Sequence, residues 1–353
     1  MKSIIFVLPV AGYSGGANSV VQEVKGLVKL GIDARIAVND KNISTFKQCY
    51  ATISEVVTRL IEFNGYSDLS RKIENDTIVV ATVGTQAVDV FTMVDQLVLG
   101  GLQVTKAYYI QDYEPLFFQE KSLEWEKVRQ SYGSLDDVIA FAKTQWIIDV
   151  IKGNHNALVN LVSPSIDHDC YFPIARTYSN ATHVTAMIRP GTPRRAPNRT
   201  ARVLNKIIAQ YDNVSVSVFG CENSELYTAG IILDPRVVNK GRLTREQVAQ
   251  ELRLSNLFID ASDFQAFGRT GIEAMACGAI SIMPMIGGAP EFINHNVDGY
   301  IIDTRSDEEF LKCLSLYIEK STIQKAAMHQ LALSKASEFS VNRASASIAK
   351  LFI

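Results

Sequence analysis

The residues best suited to chemistry lie close together, in the run LFIDASDFQAFGRTGIEAMACGAISIMPMIGGAPE between Leu257 and Glu291. Phe267, Gly268, Arg269, Thr270 and Gly271 lead into a helical stretch, 272–277, that stops at Gly278. A helix that starts near Thr270 or Gly271 presents backbone N–H groups without intrahelical partners, and its dipole adds partial positive charge there. Gly268 and Gly271 have no Cβ, so a bulky ligand could come close to the backbone. Arg269 brings a full charge to the same rim. Such a loop could cradle a phosphate. Glu273, just inside the helix, could accept hydrogen bonds from two ribose hydroxyls. It could equally be a first-turn partner of the helix dipole in a plain α/β loop.

Two strands and a helix must position these groups. Leu257–Ile259 and residues 279–283 read as short buried strands around the helix, with Pro284 leading to the Gly287-Gly288 turn: a βαβ unit. The chain opens with another. Residues 3–10 are an apolar strand, 12–18 a turn holding Gly15 and Gly16, 20–30 a helix by period, and 31–38 a turn and second strand. That turn lacks the G-x-G-x-x-G spacing of dinucleotide folds. Further strands are expected at 77–82, 106–110 and 137–142, and helices at 87–99, 123–132 and 144–153. Gln111, Asp112 and Glu114 stand at the C-terminal end of the 106–110 strand, the edge where open parallel sheets bind ligands. The two carboxylates there could contact a substrate or cap a helix.

Residues 163–173 are Pro-bounded and irregular, as a linker should be. Asp167 and Asp169 have a metal-like spacing, but the ligand set is incomplete. The strand–helix rhythm then repeats. Strands are expected at 183–188, 214–219 and 231–233, helices at 200–211 and 245–254, the latter with Thr244 as N-cap. After the βαβ unit at 257–291 come helices at 307–319, 321–337 and 341–351.

A length of 353 residues calls for about two domains. Hydrophobic content of 47% and charge of 20% suit a soluble globular protein, and a net charge of −2 gives no reason to expect nucleic acid as a partner. The five cysteines are scattered without C-x-x-C spacing, which argues against a disulfide framework and against zinc. The first apolar run is too short for a signal peptide, and no 18-residue apolar run occurs, so a cytoplasmic protein is expected. Sequons at Asn180 and Asn198 carry no weight without a secretory route.

Gln265-x7-Glu273, followed by Ala-Met-Ala-Cys-Gly278 and by Gly287-Gly-Ala-Pro-Glu291, resembles the nucleotide-sugar signature of the retaining family 4 glycosyltransferases. That family's pattern is Glu-x7-Glu within a stretch like E-x-F-G-x-x-x-x-E-A-M-A-C-G. The second Glu is present here, and Gln265 stands at the first. The resemblance implies the GT-B fold, an α/β architecture with two Rossmann-like domains facing each other across a cleft. It places an acceptor-side domain at 1–163, a donor-side domain at 164–335, and a helix at 336–353 that crosses back to the first domain.

The resemblance also implies roles. The donor is a nucleoside diphosphate sugar whose leaving group gains negative charge, which needs a metal or fixed positive groups. No metal constellation is visible, so neither metal nor cofactor is expected. Arg189, Arg194, Arg195 and Arg269 can serve, since the guanidinium fork suits phosphate. The family's paired cations match Arg189 with Arg194 or Arg195, and Arg189 with Arg194 is the preferred pair. Arg194 and Arg195 could also be a solvated helix start. Gly15 and Gly16 match a loop facing the donor phosphates, and Gly220, Arg242, Phe267, Gly268, Thr270 and Glu273 complete the expected donor side. Gln265, Arg189 and Asp112 are the expected catalytic set. Gln111, Asp112 and Glu114 are expected on the acceptor.

Residues 109–117 and 189–195 further resemble the WsaF-type rhamnosyltransferase branch, which implies dTDP-β-L-rhamnose as donor. The expected partners are that nucleotide sugar and a glycan or lipid-linked glycan acceptor of a bacterial surface polysaccharide. Contact with an assembly complex or the inner membrane face stays open. Two alternatives also stand: a transferase using a UDP- or GDP-sugar, and a non-catalytic nucleotide-sugar-binding domain, the reading that Gln265 favours.

Overall fold

The computed structural model describes residues 2–9, 12, 14–133, 135–179 and 181–352; Val10, at the end of the expected first strand, and Asn180 of the first sequon lie outside them. The chain divides into two units, Met1–Ser165 with Phe339–Ile353, and Ile166–Glu338.

The first unit alternates strand and helix: β1 Ser3–Leu8, α1 Gly15–Lys29, β2 Ala34–Asn39, α2 Asp40–Cys49, α3 Ser54–Val57, β3 Ile61–Phe63 and α4 Tyr66–Ser70. It continues with β4 Thr77–Ala81, α5 Gly84–Leu99, β5 Val104–Ile110, α6 Leu123–Gly133, β6 Ile139–Ala142, α7 Gln145–His155 and β7 Asn160–Leu161. No element was expected at 40–73, where α2 to α4 and β3 lie. Their apolar stripes are short, with only Ile43 and Phe46 buried in α2. Among the described residues the strands form one sheet, ordered β3-β2-β1-β4-β5-β6-β7, with β1 parallel to both β2 and β4. Helices cover both faces, which is why β4 is buried throughout and reads as an unbroken apolar run.

The second unit repeats the plan: β8 Thr182–Met187, α8 Pro197–Gln210, β9 Val214–Phe219, α9 Asn223–Thr228, β10 Val238–Asn239 and α10 Arg245–Leu254. Then come β11 Leu257–Ile259, α11 Arg269–Ala276, β12 Ile280–Pro284, β13 Tyr300–Ile302, α12 Asp307–Ile318 and α13 Thr322–Ser337. Its sheet runs β10-β9-β8-β11-β12-β13 among the described residues. The strand expected at 231–233 is absent; the edge strand is β10, paired to β9 through Val238 and Asn239. Ile232 instead lies on the surface with its carbonyl accepting from the Asn205 amide.

The last helix, α14 Val341–Phe352, belongs to the first unit. Its Ile348 and Phe352 join the cluster of Phe6, Val24, Ile36 and Tyr109, and Phe352 meets Phe141 edge to face at 5.8 Å. The crossing-back helix is thus present.

Candidate functional site

In the second unit the strand order reverses between β8 and β11, which pair through Val184–Leu257, Thr185–Phe258 and Ala186–Ile259. The loops after these two strands leave the same sheet edge side by side, where doubly wound sheets open a crevice. The first loop carries Arg189, Arg194 and Arg195; the second carries Asp260, Ser262 and Gln265. Two contacts stitch them together. The Asp263 N–H donates to the Arg194 carbonyl at 2.9 Å. Arg199 of α8 donates to the Ala261 carbonyl and the Asp263 carboxylate, each at 2.9 Å.

Burial holds the Arg189 pKa below its ordinary value, and the nearby Arg195 charge adds to this, with Asp260 opposing. Arg195 has a buried Nε and a buried Nη1 without a hydrogen-bond partner among the described residues. A buried guanidinium donor without a partner, near a second cation, is costly until an anion joins it. The Arg195 charge acts on Arg189, and the Arg194 carbonyl is tied to the Asp263 N–H.

Gln265 is buried at the start of the same crevice wall. Its amide nitrogen donates to the Asp260 carboxylate and, at 3.2 Å, approaches the Ser262 hydroxyl. The Asp260 carboxylate also accepts from the Ser262 N–H at 3.0 Å and from the Ser262 hydroxyl. On the main chain, the Gln265 N–H donates to Ile286 O at 3.2 Å and its carbonyl accepts from the Gly288 N–H at 2.9 Å. A Cβ on Gly287 would lie 1.9 Å from the Gln265 carbonyl oxygen, and φ there is +119°. The Gly287-Gly288 turn is therefore glycine because Gln265 presses against it. Asp260 and Ser262 read as turn residues in the sequence; only their convergence on Gln265 marks them as part of the site.

Helix α11 begins one residue after Gly268, its N-cap at φ +88°. A Cβ on Gly268 would meet Met283 Cε at 2.8 Å, and one on Gly271 would meet Met283 Sδ at 2.5 Å. Both glycines make room for the Met283 side chain of β12. Arg269 forms an ion pair with Glu273 at 3.5 Å, with both side chains nearly buried. Burial raises the Glu273 pKa, against the pull of Arg269 and Arg245 and a hydrogen bond with Tyr171. Arg245 is in turn paired with Asp167 at 2.7 Å, so the metal-like Asp167–Asp169 spacing serves an internal ion pair.

The remaining donor-side residues scatter more widely. Phe267 packs edge-on against Phe292 at 5.5 Å, and Thr270 lies in the first turn of α11. Gly220, at φ +109°, lets the β9 loop close on the end of β8, since a Cβ would lie 2.7 Å from Ile188 O. Arg242 is largely exposed and paired with Glu225.

In the first unit the strand order reverses between β1 and β4. Ser14 caps α1 by accepting from the Ala17 N–H at 3.1 Å. Gly15 has open space at its Cβ position, whereas a Cβ on Gly16 would meet Gln111 Oε1 at 3.2 Å. The Gln111 side-chain amide donates to Thr82 O at 3.3 Å, which ties the end of β5 to the end of β4. Asp112 is half-buried and accepts from the Tyr113 N–H at 2.9 Å. Glu114 is buried and accepts from the Gly84 N–H at 3.0 Å, which makes it a cap for α5 rather than an open carboxylate. Beside these, a groove of about 650 Å³ opens at the ends of β1, β2 and β3, lined in part by Asn39, Asn42, Phe63, Tyr66 and Gln86.

Residues 192–332 match the family model Glycosyl transferases group 1. The matched segment lies within the second unit. It contains Arg194, Arg195, Asp260, Gln265 and Glu273, and Arg189 stands just before it. Among curated relatives, the chain is 37% identical over 71 residues to N-acetyl-alpha-D-glucosaminyl L-malate synthase of Bacillus anthracis, covering 20% of this chain and 18% of that enzyme. It is 23% identical over 201 residues to D-inositol 3-phosphate glycosyltransferase of Mycolicibacterium smegmatis, covering 53% of this chain and 46% of that enzyme. The matches thus span less than half the length of these relatives. Among solved structures, Anabaena HepE in complex with UDP and glucose superposes with a TM-score of 0.79 at 17% identity, over 99% of both chains. A variant of S. aureus TarM in complex with fondaparinux, alpha-GlcNAc-glycerol and UDP gives 0.79 at 11% identity, over 100% of both. Two parallel-stranded Rossmann-like units of this kind are the GT-B fold. Among the described residues no helix is long and apolar enough to cross a membrane.

Proposed function

We propose that this chain is a retaining, metal-independent glycosyltransferase that moves rhamnose from dTDP-β-L-rhamnose to a glycan or lipid-linked glycan of a bacterial surface polysaccharide. The observation that carries the transferase reading is Arg195, which has two buried donors unmatched among the described residues and shares its loop with Arg189. In this reading the two guanidiniums take the diphosphate and hold the charge that grows on it as the bond breaks. Glu273 takes the ribose hydroxyls, exchanging its contact with Arg269. Gln265 orients the sugar. The bond from the anomeric carbon to the phosphate oxygen breaks with its electron pair on phosphate. The acceptor oxygen bonds to the same face of that carbon, and its proton passes to the departing phosphate. The acceptor is assigned to the first unit, with Asp112, Gln111 and the groove beside Tyr66 as its contacts.

The choice of rhamnose rests on the stretches 109–117 and 189–195. The UDP in the HepE and TarM complexes supports a nucleoside diphosphate in general and keeps UDP-sugars as the alternative. Gln265 in the place of a family Glu favours a second reading, a nucleotide-sugar-binding domain without turnover. A panel of labelled dTDP-, UDP- and GDP-sugars, with and without glycan acceptors and with EDTA, separates these. Transfer from dTDP-rhamnose in EDTA is expected. Transfer from UDP-glucose alone overturns the sugar, a requirement for Mg²⁺ overturns the metal-free step, and binding without transfer gives the second reading.

A further inference from the structure

Gln265 is the one departure from the Glu-x7-Glu pattern, and its surroundings explain it. The Asp260 carboxylate accepts from the Gln265 amide nitrogen. It also accepts from the Ser262 N–H at 3.0 Å and from the Ser262 hydroxyl. Asp260, Ser262 and Gln265 are all buried, at 8%, 1% and 7% exposure. A carboxylate can only accept hydrogen bonds. A Glu at 265 in this position would therefore set two carboxylates against each other in a place with little water, and one of them would have to keep a proton. The amide removes that conflict, because it donates to Asp260 and still has its carbonyl oxygen to accept with. Arg189, across the crevice, feels the Asp260 charge.

We propose that Asp260 is a positioning residue for the sugar: it supplies the negative charge that the family pattern puts at 265, and Gln265 is the neutral relay between that charge and the sugar hydroxyls. Charge on Asp260 orients the Gln265 amide and favours the positive charge that grows on the anomeric carbon. This role rests on the transferase reading, so its test must be able to fail separately.

The test compares the wild type with Asp260→Asn, Gln265→Glu and the exchanged variant Asp260→Asn/Gln265→Glu, in turnover, in nucleoside diphosphate affinity and in thermal unfolding. Asp260→Asn should lower kcat roughly ten- to a hundredfold, the worth of a charged hydrogen bond, with little change in nucleoside diphosphate affinity. Gln265→Glu should gain a pH dependence that the wild type lacks. It should work and stay folded while the dyad shares a proton, then lose both turnover and stability as pH rises and the second carboxylate ionises. The exchanged variant has one carboxylate again and should recover most of the lost turnover and a flat profile, an outcome that a merely structural role for Asp260 does not produce. An Asp260→Asn variant as fast as wild type overturns the role, and so does an exchanged variant no better than either single one. A wild type that turns over no donor overturns the transferase reading and this role with it. Thermal unfolding of the same four proteins then reports whether the carboxylate–amide pairing itself is real.

Discussion

Residue by residue, the strongest contrast in the donor-side set lies between two arginines. Arg195 shares a loop with Arg189 and has buried donors that no described residue satisfies, whereas Arg242 is exposed and paired with Glu225. Arg195→Ala should therefore weaken a nucleoside diphosphate by roughly ten- to a hundredfold, the effect of losing hydrogen bonds from a charged group. Arg242→Ala should change it by about twofold or less, since an exposed ion pair is worth little. Calorimetric titration with dTDP and UDP compares the two, and equal losses would remove the crevice assignment. Glu273 presents a different case. Its carboxylate is buried against Arg269, with Tyr171 bonded to it. If it exchanges those contacts for ribose hydroxyls, Glu273→Ala should cost about tenfold or more in nucleotide affinity. An unchanged affinity in a folded variant would leave Glu273 as a partner of Arg269 only.

At the level of elements, helix placement behind the site depends on His329. This residue of α13 is 1% exposed and lies between the Gly278 carbonyl, at the end of α11, and the Tyr317 hydroxyl of α12 at 2.7 Å. A neutral ring satisfies both: one nitrogen donates to Gly278 O and the other accepts from Tyr317. Burial pulls the pKa down from 6.5 to about 4. The sign follows from linkage. Below the ordinary pKa the unfolded chain takes up a proton that the folded ring refuses, so the contribution of His329 is complete above about pH 6.5 and is lost as pH falls toward 4. The slope approaches about 1.4 kcal/mol per pH unit inside that window. Thermal melts at pH 7, 6 and 5 should show a steeper decline for wild type than for His329→Gln; parallel curves would mean that the ring is not held neutral.

On the scale of the whole molecule, the chain leaves the first unit after Ser165 and returns to it at Phe339. The return is secured by α14 against α1, where a Cβ on Gly26 would lie 1.9 Å from Ser345 Oγ and 2.8 Å from Val341 Cγ1. The contact admits no side chain on that face of α1. Gly26→Val should lift α14 and cost the first unit about 1–3 kcal/mol or more, as overpacking does. Limited proteolysis should then cut first within 1–165 and 339–353, with the second unit unaffected. Uniform loss of both units would show that they unfold together.

The fold was legible in the sequence because parallel strands buried on both faces read as short apolar runs, and the helices between them carry their period openly. The runs at 77–82 and 257–259 became β4 and β11, while residues 231–233, equally apolar, form no strand because sheet pairing went to Val238 and Asn239; there Ile231 is buried and Ile232 exposed. The stretch 265–291 pointed to an anion through residue types and spacing, and to nucleotide-sugar chemistry through its resemblance to the family signature. Spacing cannot report what fills the space beside a glycine, and so it took the tertiary structure to show Met283 against Gly268 and Gly271, and Gln265 against Gly287. The same holds for charge. Glu114 as the cap of α5 is a contact between elements thirty residues apart, and Asp260 as the partner of Gln265 depends on how one loop folds back on itself; residue spacing records neither.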